Sequence, residues 1–289
     1  MGLRLISNGL LPLSHTIYLG DCLRVLGTMP DGWVDVIVTS PPYNIGARYN
    51  TYGDDLRPES YLEWMGQVSR VLKRILSDDG SLFLNVGFTA TKPWISLDVA
   101  QVFRDDGWVL QNRIGWVKSI SVADRTHGHL KPVNSSRFLN QTHEDIFHFT
   151  KSGSVVLDRL AIGVPYADKS NIARFNTSDL RCRGNSWFVP YETITKRATQ
   201  RGGHPATFPV ELARNCIALH GVRDGLLVLD PFIGTGTTMI AADQLGVTCI
   251  GVEIDPQYAL FAMERAAAQR AASVLVDTSG ELDPQADAA

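Results

Sequence analysis

The sequence predicts an α/β protein built on a mostly parallel sheet with helices on both faces. Three observations predict it. Short β-branched or apolar runs recur along the chain, and stretches with apolar residues at helical spacing separate them. A Gly-rich turn also joins one run directly to the next helical stretch. With 289 residues, 44% of them hydrophobic, the chain can bury a sizeable core.

The elements follow in order. Residues 34–38 form a β-branched run stopped by Ser40-Pro41-Pro42, which reads as a buried strand. Residues 61–76 carry Leu62, Met65, Val68, Val71, Leu72 and Ile75 at helical spacing. Asp79-Gly80 then turns into a strand over 81–86. Strands are predicted over 108–118 and 144–149, and a helix over 208–219. A strand over 226–230 leads through the Gly-rich turn into a helix over 237–245. A strand over 247–252 and a helix over 256–269 close the pattern. Residues 271–289 hold four acids and no base among small residues and read as a disordered tail. Residues 154–203 interrupt the alternation, rich in Arg, Asn, Ser and Gly, and read as an insert. The domain plan is therefore 1–153 with 204–270, plus the insert.

Composition excludes several classes. No apolar run approaches the roughly 20 residues a membrane helix needs, and residues 1–13 lack the pattern of a signal peptide. Cys22, Cys182, Cys216 and Cys249 are scattered, so reduced thiols are expected and no metal site. His127-Gly128-His129 has no third ligand nearby and reads as a surface loop. The net charge of −3 means that any contact with nucleic acid must be local. Residues 169–204 qualify: seven basic residues face two acids there, with Trp187, Phe188 and Tyr191 among them. Arg174, Arg181, Arg183, Lys196, Arg197 and Arg201 are the candidate DNA-binding residues.

Two corners carry chemistry. In Asp230-Pro231-Phe232-Ile233-Gly234-Thr235-Gly236-Thr237-Thr238, glycines let the backbone approach a ligand closely. Glu253 ends the following strand, seventeen residues after Gly236, where a carboxylate suits the hydroxyls of a ribose. Met239 stands where a dinucleotide fingerprint has its third glycine, and an acid at Asp230 would repel a pyrophosphate. A cofactor with a cationic aminoacyl end fits better, and a nicotinamide oxidoreductase fits worse. In Thr39-Ser40-Pro41-Pro42-Tyr43-Asn44, two prolines fix φ and remove two N–H donors. The Ser40 hydroxyl and a carbonyl beside the prolines can then accept both protons of an exocyclic amino group, bending its nitrogen toward sp³. Tyr43 offers a flat face for an extruded base. Trp116 fits either the base pocket or the core. Residues 50–58, with Tyr49, Tyr52 and Asp54-Asp55, follow the corner as a candidate lid.

Together the two corners resemble the amino-methyltransferases of bacterial restriction–modification systems, over nearly the whole chain and in the β order of parts. The resemblance implies a seven-stranded sheet with one reversed strand, S-adenosyl-L-methionine as cofactor, and double-stranded DNA as substrate. It implies a cytoplasmic bacterial protein, with a cognate restriction endonuclease and a homodimer as possible partners. Residues 154–203 take the place of the target-recognition region. Ser40, Pro41, Pro42 and Tyr43 would hold the target amino group. Asp230, Pro231, Phe232, Gly234, Gly236, Thr237, Thr238 and Glu253 would hold the cofactor, with Asp21 and Cys22 at its adenine. His204 and Phe208 belong to a segment similar to the one that packs on the methionine half. Ser leads the corner more often in cytosine-N4 members, whereas Asp or Asn leads in many adenine-N6 members, so the resemblance favours cytosine N4. RNA and protein methyltransferases with such corners usually lead with Asn.

Overall fold

The computed structural model describes residues 4–7, 15–47, 49–129, 132–175, 178–190 and 208–279. In chain order the elements are β1 (Arg4–Ser7), β2 (Thr16–Leu19), α1 (Cys22–Leu26), β3 (Val34–Thr39), α2 (Pro58–Ile75) and β4 (Leu76–Val86). They continue with α3 (Ile95–Asp105), β5 (Val109–Val117), β6 (Ser119–Val122), β7 (Arg125–Gly128), β8 (His143–Thr150), α4 (Ser170–Phe175) and β9 (Ser186–Phe188). The chain then runs through α5 (Val210–His220), β10 (Leu227–Asp230), α6 (Thr237–Gln244), β11 (Thr248–Glu253) and α7 (Pro256–Ser279).

The main sheet has the order β1-β2-β11-β10-β3-β4-β8-β5-β9. Its seven inner strands are parallel except β8, which is antiparallel to both β4 and β5. This is the predicted sheet with its one reversed strand. Two short strands extend it beyond the predicted seven. β1 pairs antiparallel with β2 at one edge, and β9 pairs parallel with β5 at the other. Both cover N–H and C=O groups that an edge strand would leave open. β9 lies within the 154–203 segment, so part of that insert is built onto the main sheet.

Alternating side chains send the central strands into two cores. Val36 and Val38 pack with Leu212 of α5, Ile240 of α6 and Ala262 of α7. Ile37, between them, packs with Val25 of α1, Met65 of α2 and Val99 of α3. Each face of the sheet thus carries three helices, which is why the central strands read as continuous apolar runs.

Two predicted features change. The Asp79-Gly80 turn is a bulge inside β4: Val34 pairs with Leu76 and Val36 with Ser81. A Cβ at Gly80 would sit 2.6 Å from Leu76 Cδ1 and 2.9 Å from the Asp35 carbonyl, so the bulge needs glycine. α7 extends to Ser279, into the stretch that the sequence reading assigned to the tail. No breaker interrupts the Ala-rich stretch before Gly280, and alanine is the best helix former. Residues 280–289 lie outside the described residues. Among the described residues, no helix is long and apolar enough to cross a membrane.

Leu72 is fully buried on the inner face of α2. Leu72→Ala is expected to cost about 2–5 kcal/mol, read as a lower urea midpoint at unchanged slope.

Candidate active site

Strand order reverses between β3 and β10, and a crevice opens at the carboxyl ends of strands at such a point. The cleft is there. One wall is Ser40, Pro41, Pro42 and Tyr43, directly after β3. Facing it are Asp230, Pro231, Phe232, Gly234 and Thr237 after β10, and Glu253 ending β11. Asp21 and Cys22, after β2, and Phe208, before α5, complete the predicted set that lines it. The fold therefore brings the two corners into one cavity, although 190 residues separate Ser40 from Asp230 in sequence.

Gly236 and Thr238 stand behind that wall. Gly236 caps α6 with φ of 82°, and a Cβ there would come within 2.9 Å of Ala262 Cβ. Thr238 Oγ1 donates to Asp230 Oδ2 at 2.6 Å. The other Asp230 oxygen accepts from Thr39 Oγ1 at 2.7 Å and from the Phe232 N–H at 3.0 Å. Asp230 is thus committed to protein donors on both oxygens. Burial pushes its carboxyl up to about 6, against the pull of those hydrogen bonds.

Glu253 is also buried, and burial raises its carboxyl to about 7. Its oxygens accept from the Gly234 N–H at 2.8 Å and the Asp255 N–H at 2.9 Å. An ionised carboxylate has about four acceptor positions. Glu253 lines the cleft edge, where a remaining acceptor position fits a ribose hydroxyl. Asp21 caps α1 by accepting from the Arg24 N–H at 3.0 Å, and the residue lines the cleft. Burial raises the Cys22 thiol to about 12, so it contributes surface rather than a thiolate.

The Ser-Pro-Pro-Tyr corner is held from behind. Tyr61 donates to the Pro42 carbonyl at 2.8 Å. Ser40 Oγ lies 2.6 Å from the Tyr43 hydroxyl. Tyr43 in turn contacts Glu144 Oε2 at 3.1 Å and Asn85 Nδ2 at 2.7 Å. Asn85 and Lys118, the partner of Glu144, were not singled out by sequence, since nothing local links residues on β4 and the end of β5.

The candidate lid is a bonded loop. Asp54 is buried and accepts from the N–H groups of Asn44, Ile45 and Ala47. Asn44, with φ of 57°, donates its side-chain amide to the Leu56 carbonyl. Tyr49 and Tyr52 from this loop line the cleft with Trp64 and Tyr258. Trp64 meets Phe232 edge-on at 5.6 Å between ring centres. Trp64 and Tyr258 were the second group that sequence missed.

Trp116 is a core residue. It is buried and donates to the Val189 carbonyl at 2.8 Å, tying β9 to the sheet. Of the predicted DNA contacts, Arg181 is exposed and its backbone bridges Val164. Arg183 is held to the Ile162 carbonyl at 3.0 Å, and Arg174 lies on α4. None of the three lines the cleft. Lys196, Arg197, Arg201 and His204 lie outside the described residues, as does Tyr191. His127 sits on the exposed β6–β7 hairpin, beside His129. Among the described residues, no three His, Cys, Asp or Glu side chains gather as a metal site would need.

Known proteins resemble this one throughout. A family model described as DNA methylase matches residues 34–264. The Type II methyltransferase M.BglII of Bacillus subtilis is 31% identical over 84% of this chain and 66% of its own length. M.XycI of Xanthomonas campestris pv. cyanopsidis, also a Type II methyltransferase, is 30% identical over 86% of this chain and 87% of its own. The structure of TTHA0409 from Thermus thermophilus, in complex with S-adenosyl-L-methionine, is 27% identical with a TM-score of 0.60. It covers 88% of this chain and 94% of its own.

Because the folded Glu253 carboxyl titrates above its usual range, it favours the folded state fully only at low pH. That contribution is lost as pH rises toward about 7. Without cofactor, the parent is expected to lose more stability between pH 5 and 8 than Glu253→Gln, by about 2–3 kcal/mol in urea titrations.

Proposed function

This chain belongs to the DNA methylase family, the amino-methyltransferases of restriction–modification systems, and we propose that within it the target is cytosine N4. The observation that carries the reading is the meeting of the Ser40 corner and the Gly234 corner in one cleft. The cofactor is S-adenosyl-L-methionine, which supplies an electrophilic methyl on a sulfonium whose S–C pair returns to sulfur as the N–C bond forms.

The chain's own residues do the rest. A base inside a duplex cannot reach this cleft, so the target is flipped out of the helix. Tyr43 and the aromatic wall take its face, and stacking of this kind is worth about 1–3 kcal/mol. Ser40 Oγ and the Pro41 carbonyl accept the two amino protons. The Pro42 carbonyl is already taken by Tyr61, which supports Pro41 as the second acceptor. Glu253 takes the ribose hydroxyls, Asp21 and Cys22 flank the adenine, and Phe208 with the His204 segment packs on the methionine half. Ser in the lead position supports cytosine over adenine. Arg174, Arg181, Arg183, Lys196, Arg197 and Arg201 give the 154–203 region the local positive charge that DNA requires. The relatives' Type II designation supports a cognate endonuclease acting on the same site.

Incubation with mixed-sequence duplex DNA and S-adenosyl-L-methionine, followed by digestion and mass spectrometry, is expected to yield N4-methylcytosine. N6-methyladenine would overturn the base assignment and keep the chemistry. Ser40→Ala is expected to lower the transfer rate by about 10²-fold or more.

A further inference from the structure

Behind Ser40 runs a connected polar chain that amino-group capture does not itself require. Ser40 Oγ lies 2.6 Å from the Tyr43 hydroxyl, which donates to Glu144 Oε2 at 3.1 Å. Asn85 Nδ2 donates to the Tyr43 oxygen at 2.7 Å and to Glu144 Oε2 at 2.8 Å. Lys118 pairs with the other Glu144 oxygen. These groups come from the ends of β3, β4, β5 and β8, so tertiary structure alone assembles them. A Cβ at Gly87 would meet Tyr43 Cε2 at 2.6 Å and Glu144 Oε1 at 2.9 Å. The Tyr43–Glu144 pair is thus packed against bare backbone.

The direction of the chain follows from counting protons. Tyr43 has one, and it goes to the carboxylate. Its oxygen is then left to accept, so the Ser40 proton points at Tyr43 and the Ser40 lone pairs face the cleft. Each donor points away from the cleft toward Glu144. Glu144 is 13% exposed and Lys118 22%, so the far end touches water.

We propose that Ser40, Tyr43 and Glu144 form a proton relay that drains the target amino group during methyl transfer, with Asn85 and Lys118 as positioning residues. The inference rests on the amino-methyltransferase reading above and deepens it. As the nitrogen gains its new N–C bond it carries one positive charge and one proton too many. One N–H bond breaks and that proton passes to Ser40 Oγ. The Ser40 proton passes to the Tyr43 oxygen, and the Tyr43 proton to Glu144 Oε2. Ser40 and Tyr43 end as they began, and Glu144 ends neutral and releases its proton to water. A four-bonded nitrogen on an aromatic base is a far stronger acid than a carboxylic acid, so the transfer runs downhill. Burial, then the neighbouring Glu144 charge, pushes the Tyr43 hydroxyl well above its ordinary range. It therefore passes protons on without storing charge. Lys118 pairs with Glu144 and holds it oriented between turnovers.

The experiment is single-turnover methyl transfer by the full chain, with the S-adenosyl-L-methionine affinity of each variant measured beside it. Tyr43→Phe removes only the bridging oxygen, and Glu144→Gln removes only the acceptor. Each is expected to slow transfer by about 10²-fold at parental cofactor affinity. The double variant is expected to be no slower than the slower single, because one relay is cut twice. Glu144→Asp is expected to recover part of the rate. Single variants at the parental rate, or a double variant as slow as the product of the two effects, would overturn the relay while leaving the family chemistry intact. A parent that methylates no base would overturn the underlying reading and the relay with it. Tyr43→Phe keeps the proposal testable should Glu144→Gln fail to bind cofactor.

Discussion

The carboxylate of Asp230 joins the two halves of the cleft. One of its oxygens takes the hydroxyl of Thr39, the last residue of β3 and the one before Ser40. The other takes Thr238 in the first turn of α6, and the Phe232 N–H closes the turn between them. Asp230 is 2% exposed, so these bonds form away from competing water and an unmet partner there is costly. The same residue therefore fixes where β3 delivers the Ser-Pro-Pro-Tyr corner and where β10 delivers the glycines. Sequence suggested that this acid faces a cationic ligand. In the structure it lines the cleft with both oxygens already committed to the protein, and the reason for an acid there is the junction of two strands.

The central sheet was legible because its strands are buried on both faces. Such strands appear as apolar runs, and residues 34–38, 81–86, 226–230 and 247–252 all carried that signal. The helix of residues 95–105 was legible too, through Ile95, Val99 and Phe103 at helical spacing, but went unread. The strands β1, β2 and β9, at or next to the sheet edges, are three or four residues long, too short for periodicity to mark. The Asp79-Gly80 pair carried true turn chemistry, yet strand pairing with β3 absorbed it as a bulge.

The site was legible where its chemistry sits in contiguous motifs. Ser40 to Tyr43 and Asp230 to Thr238 are each one corner of one loop. Asn85, Glu144 and Lys118 come from three different strands or their ends, and only sheet order brings them behind Ser40. The aromatic wall has the same character. Trp64 reads as one more apolar residue of α2, and its place beside Phe232 depends on how that helix lies across the sheet. The loop of residues 44–56 is held by Asp54, so its aromatic side chains are presented by a bonded scaffold.

The most direct test of the junction is Thr39→Val, which keeps the volume and removes the hydroxyl. Two quantities are measured on the same protein, cofactor affinity and the single-turnover rate of methyl transfer. If Asp230 sets the position of Ser40 against the cofactor corner, the rate falls while cofactor affinity stays near parental, because Thr238 and Phe232 still hold the glycine turn. Parental values for both would contradict the account and leave the two corners positioned by the sheet alone.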